Sequence, residues 1–209
     1  MKRNKKSEAA RLLAAFYLAA LLIALVSGGV RLAKSRYYQA KGNRPCSVAE
    51  LADFELRSIL PAERPEDADP ETEGQWFVST DADPQMLISV NGYLDTVVLN
   101  MERLSVGYAP VLYWTNPGQA DFSEAQAVYG KKIGPDRYEF DLKGQMAETM
   151  RIDPDSVGGV IACLKGVEIN PARSAFRAFC PSAKTILLLL ALPLLAATLV
   201  LEVKAILKR

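Results

Sequence analysis

The sequence predicts a mainly β protein, an antiparallel β-sandwich carried between two transmembrane helices. Two uncharged apolar runs near the ends of the 209-residue chain point to the helices, and a series of short alternating segments between them points to the sandwich. The first run covers residues 12–30 (LLAAFYLAALLIALVSGGV) and the second residues 185–201 (TILLLLALPLLAATLVL). Each is close to the roughly 20 apolar residues that a helix needs to cross a bilayer. The chain therefore divides into an N-terminal tail (1–11), a first span (12–30), a central segment (31–184), a second span (185–201) and a C-terminal tail (202–209).

Lys2, Arg3, Lys5 and Lys6 precede the first run, and Lys204, Lys208 and Arg209 follow the second. Basic flanks favour the cytoplasmic side. Both tails are expected in the cytoplasm and the central segment outside, anchored in the plasma (inner) membrane. Arg31, Lys34, Arg36, Lys41 and Arg44 open the central segment and weaken that bias. The alternative for the first run is a cleaved signal peptide, with small residues at Ser27, Gly28 and Gly29. The run exceeds the ~7–15 apolar residues of a signal peptide, which favours a retained anchor. Either way the central segment is exported. Ala15 with Ala19, and Ala20 with Ala24, give small residues at the spacing that lets helices approach closely in lipid.

Composition excludes several functions. The net charge is +1 and the central segment is not basic, so nucleic acid is not an expected partner. There is no histidine, which removes His-based triads, metal sites and proton shuttles. Cys46, Cys163 and Cys180 form no CxxC pair. In an oxidising compartment three cysteines give one disulfide and one free thiol. Cys46 and Cys180 both lie near the membrane ends of the segment and are the expected pair, with Cys163 in a core strand. Cys163–Cys180 is the rival pairing. No N-x-S/T sequon occurs in the central segment, as expected of a bacterial chain.

Within the segment, residues 31–41 form a basic stalk with Tyr37 and Tyr38 at headgroup level. Residues 47–53 read as a brief helical turn, and residues 54–60 alternate as a strand does. Residues 61–74 (PAERPEDADPETEG) read as a solvated acidic loop. Strands follow at 75–79, 85–90, 96–101, 111–115, 125–129, 138–142, 149–152 and 160–169. Turn signals separate them, among them Asn91-Gly92, Asn116-Pro117-Gly118 and Asp153-Pro154-Asp155. Eight or nine short strands with no long helical period between them suit a jelly roll, two antiparallel sheets over one core.

Leu112-Tyr113-Trp114, Phe122-Ser123-Glu124, Tyr138-Glu139-Phe140-Asp141-Leu142, Arg151-Ile152-Asp153-Pro154 and Val167-Glu168-Ile169 occur in that order. This succession resembles the galactose-binding-like jelly-roll domain attached to bacterial membrane and cell-surface glycosyltransferases. The resemblance covers residues 75–170 and implies a setting in surface polysaccharide biology. This chain has no glycosyltransferase domain, so no catalysis carries over.

A sugar-binding face uses aromatics, because a pyranose stacks its apolar face on a flat ring. Trp76, Trp114 and Tyr113 are the glycan-binding candidates, and Tyr93, Tyr108 and Tyr129 are also available. Alternation puts Leu112 and Trp114 on one face of their strand and Tyr113 on the other, so one of these two aromatics belongs to the core. Arg151 is expected to pair with a neighbouring carboxylate. Asp81, Asp83, Asp153 and Asp155 are oxygen ligands of the type calcium takes, but turn capping is the simpler reading and no cofactor is expected. The chain reads as a non-enzymatic membrane protein that binds a cell-surface glycan or assists a glycan-assembly partner, such as a glycosyltransferase. The alternative is a structural subunit of a membrane complex that binds no sugar.

Overall fold

A computed structural model describes residues 2–105, 107–172, 174–175, 179 and 183–207. Two compact units arise, residues 1–33 with 173–209, and residues 34–172. Two long helices, α1 (Lys2–Ala40) and α2 (Ala183–Ile206), supply the first unit. Both are long and apolar enough to cross a membrane, over Ala9–Ala40 and Thr185–Ile206. Pro193 sits inside α2 and removes one N–H from its ladder. Nearby, the Tyr17 hydroxyl of α1 donates to the Leu190 carbonyl of α2 at 2.9 Å. Gly28 on α1 and Pro193 and Ala197 on α2 are buried. Of the small residues expected at a helix contact, Ala15 and Ala19 are exposed and Ala20 and Ala24 are half-buried.

The second unit is an antiparallel jelly-roll sandwich of ten hydrogen-bonded strands: β1 (Ser47–Ala49), β2 (Glu55–Arg57), β3 (Ile59–Pro61), β4 (Gln75–Ser79), β5 (Gln85–Arg103), β6 (Val111–Trp114), β7 (Ala127–Tyr129), β8 (Lys131–Gly134), β9 (Arg137–Asp153) and β10 (Ile161–Ile169). The main order is β3-β4-β10-β5-β9-β6-β7. Two very long strands, β5 and β9, run through both layers. The start of β5 and the end of β9 pair with β2 and β6 in one layer, while the end of β5 and the start of β9 pair with β10 and β8 in the other. Met86, Leu112, Met150 and Ile152 from the first layer meet Val97, Leu99, Phe140 and Leu164 from the second in one core, each at most 2% exposed.

Several expectations change here. Asn91-Gly92 is not a hairpin turn. It lies inside β5, where Asn91 takes a left-handed φ of 41° and the register shifts between Ser89 and Gly92. A matching irregularity with Lys143 at φ 57° bends β9. Four of the expected segments therefore merge into two bent strands. Gly92 is needed for a close approach: a Cβ there would lie 2.6 Å from Pro45 Cδ and 2.8 Å from the Asn43 carbonyl oxygen. Residues 54–60 are two strands, split at Ser58 with φ 55°. Residues 47–53 are a strand and a 3-10 turn (Leu51–Asp53) rather than a helical turn alone.

The acidic loop is ordered against the sandwich. Thr72 N donates to the Asp69 carbonyl at 3.0 Å and Ala68 N to the Pro65 carbonyl at 3.1 Å. Ala68 packs with Trp76 and Cys163 on the outer face of β4 and β10, which the loop covers.

The stalk belongs to the sandwich too. A Schellman cap ends α1: Gly42, at φ 72°, donates to the Gln39 carbonyl, and Asn43 N to the Tyr38 carbonyl. Tyr38 does not stand free for headgroups; it stacks on Tyr93 with centroids 4.6 Å apart. Tyr93 N donates to the Asn43 carbonyl at 2.7 Å. A domain fragment starting at Cys46 is therefore expected to be less stable than one starting at Lys34, by about 2 kcal/mol for one aromatic stack and the lost hydrogen bonds. Urea unfolding of the two fragments measures the difference, and equal midpoints would show that the stalk is only a tether.

Candidate functional site

The sequence candidates go to different places. Trp76 is 6% exposed on the outer face of β4, roofed by the acidic loop. Trp114 is 8% exposed on the inner side of β6 with Leu112. Both indoles are largely buried, Trp76 against Ala68 and Cys163 and Trp114 in the main core. Tyr113 faces outward, as alternation requires, and is half-buried.

Around Tyr113 an outer-face cluster forms. Arg151, its cross-strand partner on β9, places its guanidinium 4.7 Å from the Tyr113 ring centroid and 5.6 Å from that of Phe122. Asp153 holds the same guanidinium in a fork, Nε to Oδ1 at 2.7 Å and Nη2 to Oδ2 at 2.5 Å. The pairing expected of Arg151 is thus present. Its hydrogen bond to Asp153 raises its affinity for the proton. Burial pushes the Asp153 carboxyl up from its ordinary value, and Arg151 offsets this only in part. The Tyr113 hydroxyl donates to Glu124 Oε1 at 3.2 Å, and burial with the Glu124 charge pushes its pKa up to about 12. These groups satisfy one another on the outer face.

An open cleft lies on the other side of β6. It has a volume of about 570 Å3 and is bounded by the end of β6, by residues 125–128, and by the bend of β9 at 141–145. Trp114, Val128 and Leu142 supply apolar walls, while Asn116, Gln126, Asp141, Lys143 and Gln145 supply polar groups. Gln119 Nε2 donates to Gln126 Oε1 at 2.7 Å and fixes that side chain, whose own Nε2 has no protein partner. The size suits a small-molecule site, and the mixture of an apolar wall with a few oriented amides is what such sites use. Sequence reasoning singled out Trp114 but missed the five polar residues. Asn116 was legible only as a turn residue, and nothing in the chain order joins 116 and 126 to 141–145.

A second recess, about 760 Å3, opens on the outer face between the acidic loop and β10. Lys165 Nζ stands there between Glu102 Oε2 at 2.8 Å and Asp136 Oδ2 at 2.9 Å. Those two hydrogen bonds raise its pKa. The recess is lined by charged residues and Thr72 and has no aromatic wall.

The other candidates are structural. Asp81 accepts from Asp83 N and from the Ser58 hydroxyl, and these bonds lower its pKa. Asp155 accepts from Arg103, Tyr108 N and Ser156 N. Among the described residues no group of three or more acidic or cysteine side chains is placed to hold a metal. Cys163 is buried, and burial raises its thiol pKa. Cys46 is an exposed free thiol that accepts from Arg44 Nη1 at 3.0 Å. Its expected disulfide partner, Cys180, lies outside the described residues, so the structure supports no disulfide here.

No family model matches the chain, and no curated protein matches it. Solved structures do. A low-affinity xylan-binding module, CBM86, from Roseburia intestinalis has a TM-score of 0.36 at 12% identity, covering 60% of this chain and 95% of that one. A family 35 carbohydrate-binding module from Clostridium thermocellum has a TM-score of 0.38 at 11% identity, covering 61% and 99%. CsCBM6-3 from Clostridium stercorarium, solved with cellobiose, has a TM-score of 0.36 at 8% identity, covering 60% and 94%. These likenesses fix no ligand for this chain; the fold rests on its own strand pairing and the ligand question on its own cleft.

Proposed function

We propose that this chain is a membrane-anchored protein whose sandwich stands outside the cell and binds or positions a surface glycan without cleaving it. The cleft behind β6 carries the reading: Trp114, Val128 and Leu142 suit the C–H face of a sugar, and the Asn116, Gln126 and Gln145 amides suit its hydroxyls. The partner implied by the sequence resemblance is a glycosyltransferase or another polysaccharide-assembly membrane protein.

The test is glycan binding by the full chain in detergent, across envelope polysaccharides from a bacterial host. Asn116→Ala and Gln145→Ala remove polar groups from the cleft and leave the core intact. Each is expected to weaken binding about tenfold, the effect of one lost hydrogen bond of about 1.4 kcal/mol, with the unfolding midpoint unchanged. A folded chain that binds no envelope glycan, yet copurifies with a membrane enzyme, would instead establish the structural-subunit reading.

Topology needs its own test, because Lys and Arg divide evenly. Eight lie in the two tails, and eight lie in the stretches 31–44 and 173–184. Glu66 is exposed on the acidic loop. With the native cysteines replaced by serine, Glu66→Cys is expected to react with a membrane-impermeant maleimide in intact cells. Labelling only after lysis would place the sandwich in the cytoplasm.

A further inference from the structure

The net charge of +1 conceals a separation of charge along the chain. Residues 45–172 carry 22 Asp and Glu against nine Lys and Arg. Residues 31–44 carry five cations and no carboxylate, and residues 173–184 carry three more and again no carboxylate. Both segments that join the spans to the sandwich are basic, and the sandwich itself is acidic.

Five of the nine cations of the sandwich find carboxylate partners within it. Arg57, Arg103, Arg137, Arg151 and Lys165 each form an ion pair with a carboxylate. Among the described residues Lys34, Arg36, Lys41 and Arg44 form none, although the sandwich is rich in carboxylates. Lys34, Arg36 and Lys41 are exposed, and Lys41 Nζ lies 6.0 Å over the ring of Tyr37, which is 58% exposed. Arg44 Nε is buried without a partner. Cations clustered in a stretch without a single carboxylate suit an anion from outside the chain.

Their position indicates which anion. α1 runs unbroken through the end of the apolar run at Val30 to Ala40. At about 1.5 Å per residue, Lys34 and Arg36 lie roughly 6 and 9 Å beyond that end. The headgroup layer is about 5–8 Å deep on each side of the hydrocarbon, and long basic stems bend their charges back toward it. We propose that Lys34, Arg36, Lys41 and Arg44 form a collar that binds the phosphates of anionic phospholipids in the leaflet beside the sandwich. The collar holds the membrane end of the sandwich to a surface that repels the acidic body. The proposal rests on the membrane-anchor part of the reading above, and it requires neither glycan binding nor a particular leaflet.

The full chain is reconstituted in vesicles of equal parts phosphatidylcholine and phosphatidylglycerol, extracted in mild detergent, and the lipid retained per protein is measured by native mass spectrometry. Phosphatidylglycerol is expected in about threefold excess or more, since each basic residue near the surface contributes appreciably to anionic-lipid attraction. The variant Lys34→Gln, Arg36→Gln, Lys41→Gln, Arg44→Gln is expected to lose most of that excess, and Lys204→Gln is expected to keep it. Circular dichroism confirms that each variant is folded. Equal retention of both lipids by the unmodified chain overturns the collar, as does an undiminished excess in the folded quadruple variant. A chain that fails to float with the vesicles refutes the anchor itself, a separate result from either.

Discussion

Asp155→Ala is expected to lower the stability of the sandwich by about 3–5 kcal/mol, the usual cost of removing one partner from a buried ion pair. Asp155 and Arg103 have side chains only 2% and 8% exposed, with Oδ2 to Nη1 at 3.0 Å. Arg103 also donates to the Tyr108 carbonyl at 2.6 Å, and its guanidinium lies 5.3 Å from the Tyr138 ring centroid. Among the described residues its Nε and Nη2 have no hydrogen-bond partner, and Asp155 is the carboxylate paired with this charge. Removing it strands the cation and leaves the Tyr108 and Ser156 N–H groups without their acceptor. Adding Arg103→Met to Asp155→Ala is expected to recover much of the loss, because a buried pair replaced by apolar groups is close to neutral. Urea unfolding of both variants gives the comparison. A single variant that unfolds with the midpoint of the unmodified chain would mean that water reaches the guanidinium.

Asn170→Ala is the second large effect, with an expected loss of about 3 kcal/mol, from several buried polar groups left unpaired at about 1–3 kcal/mol each. Asn170 is 1% exposed. Its Nδ2 donates to the Pro45 and Tyr93 carbonyls, both at 2.8 Å. Its Oδ1 accepts from Asp95 N at 2.7 Å and Thr96 N at 3.3 Å. The register of β5 shifts between Leu94 and Thr96, which takes those backbone groups out of the regular ladder. The amide replaces the missing bonds and ties the stalk to the bend. Asn170 also sits at φ 49°, a conformation that asparagine tolerates better than most residues. Asn170→Asp keeps the acceptors but sets an oxygen against two carbonyls, so it is expected to be no better than alanine. Thermal unfolding of the fragment starting at Lys34 measures both. A loss within about 0.5 kcal/mol, the range of an ordinary surface change, would show that the bend is held by other contacts.

The two apolar runs and the alternating strands were legible because each is a local pattern. A run of apolar residues needs only length to reveal it, and Leu112-Tyr113-Trp114 showed by parity alone that one aromatic would face in and the other out. β4, β6 and β10 formed close to where alternation placed them. The pairing of Arg151 with a carboxylate was likewise legible, since Asp153 lies two residues along the same strand face.

Tertiary contact decided the rest. Asn91-Gly92 carries a strong local turn signal, yet the residues on both sides pair with β9 across a register shift, and the left-handed residue is absorbed as a bend. Trp76 alternates to the outer face as a surface residue would. A loop rich in Asp and Glu then folds back over it, because Ala68 can be buried there while the carboxylates remain in water. The cleft unites residues 116, 126 and 141–145 only through the crossing of β9 between layers, a long-range event that no spacing encodes. The sequence by itself determined the two long apolar helices, the strand content and which faces are apolar, since these follow from side-chain solubility along a short stretch. Which aromatics stay accessible, and where polar groups converge, depends on which distant surfaces cover one another, and only the folded sandwich decides that.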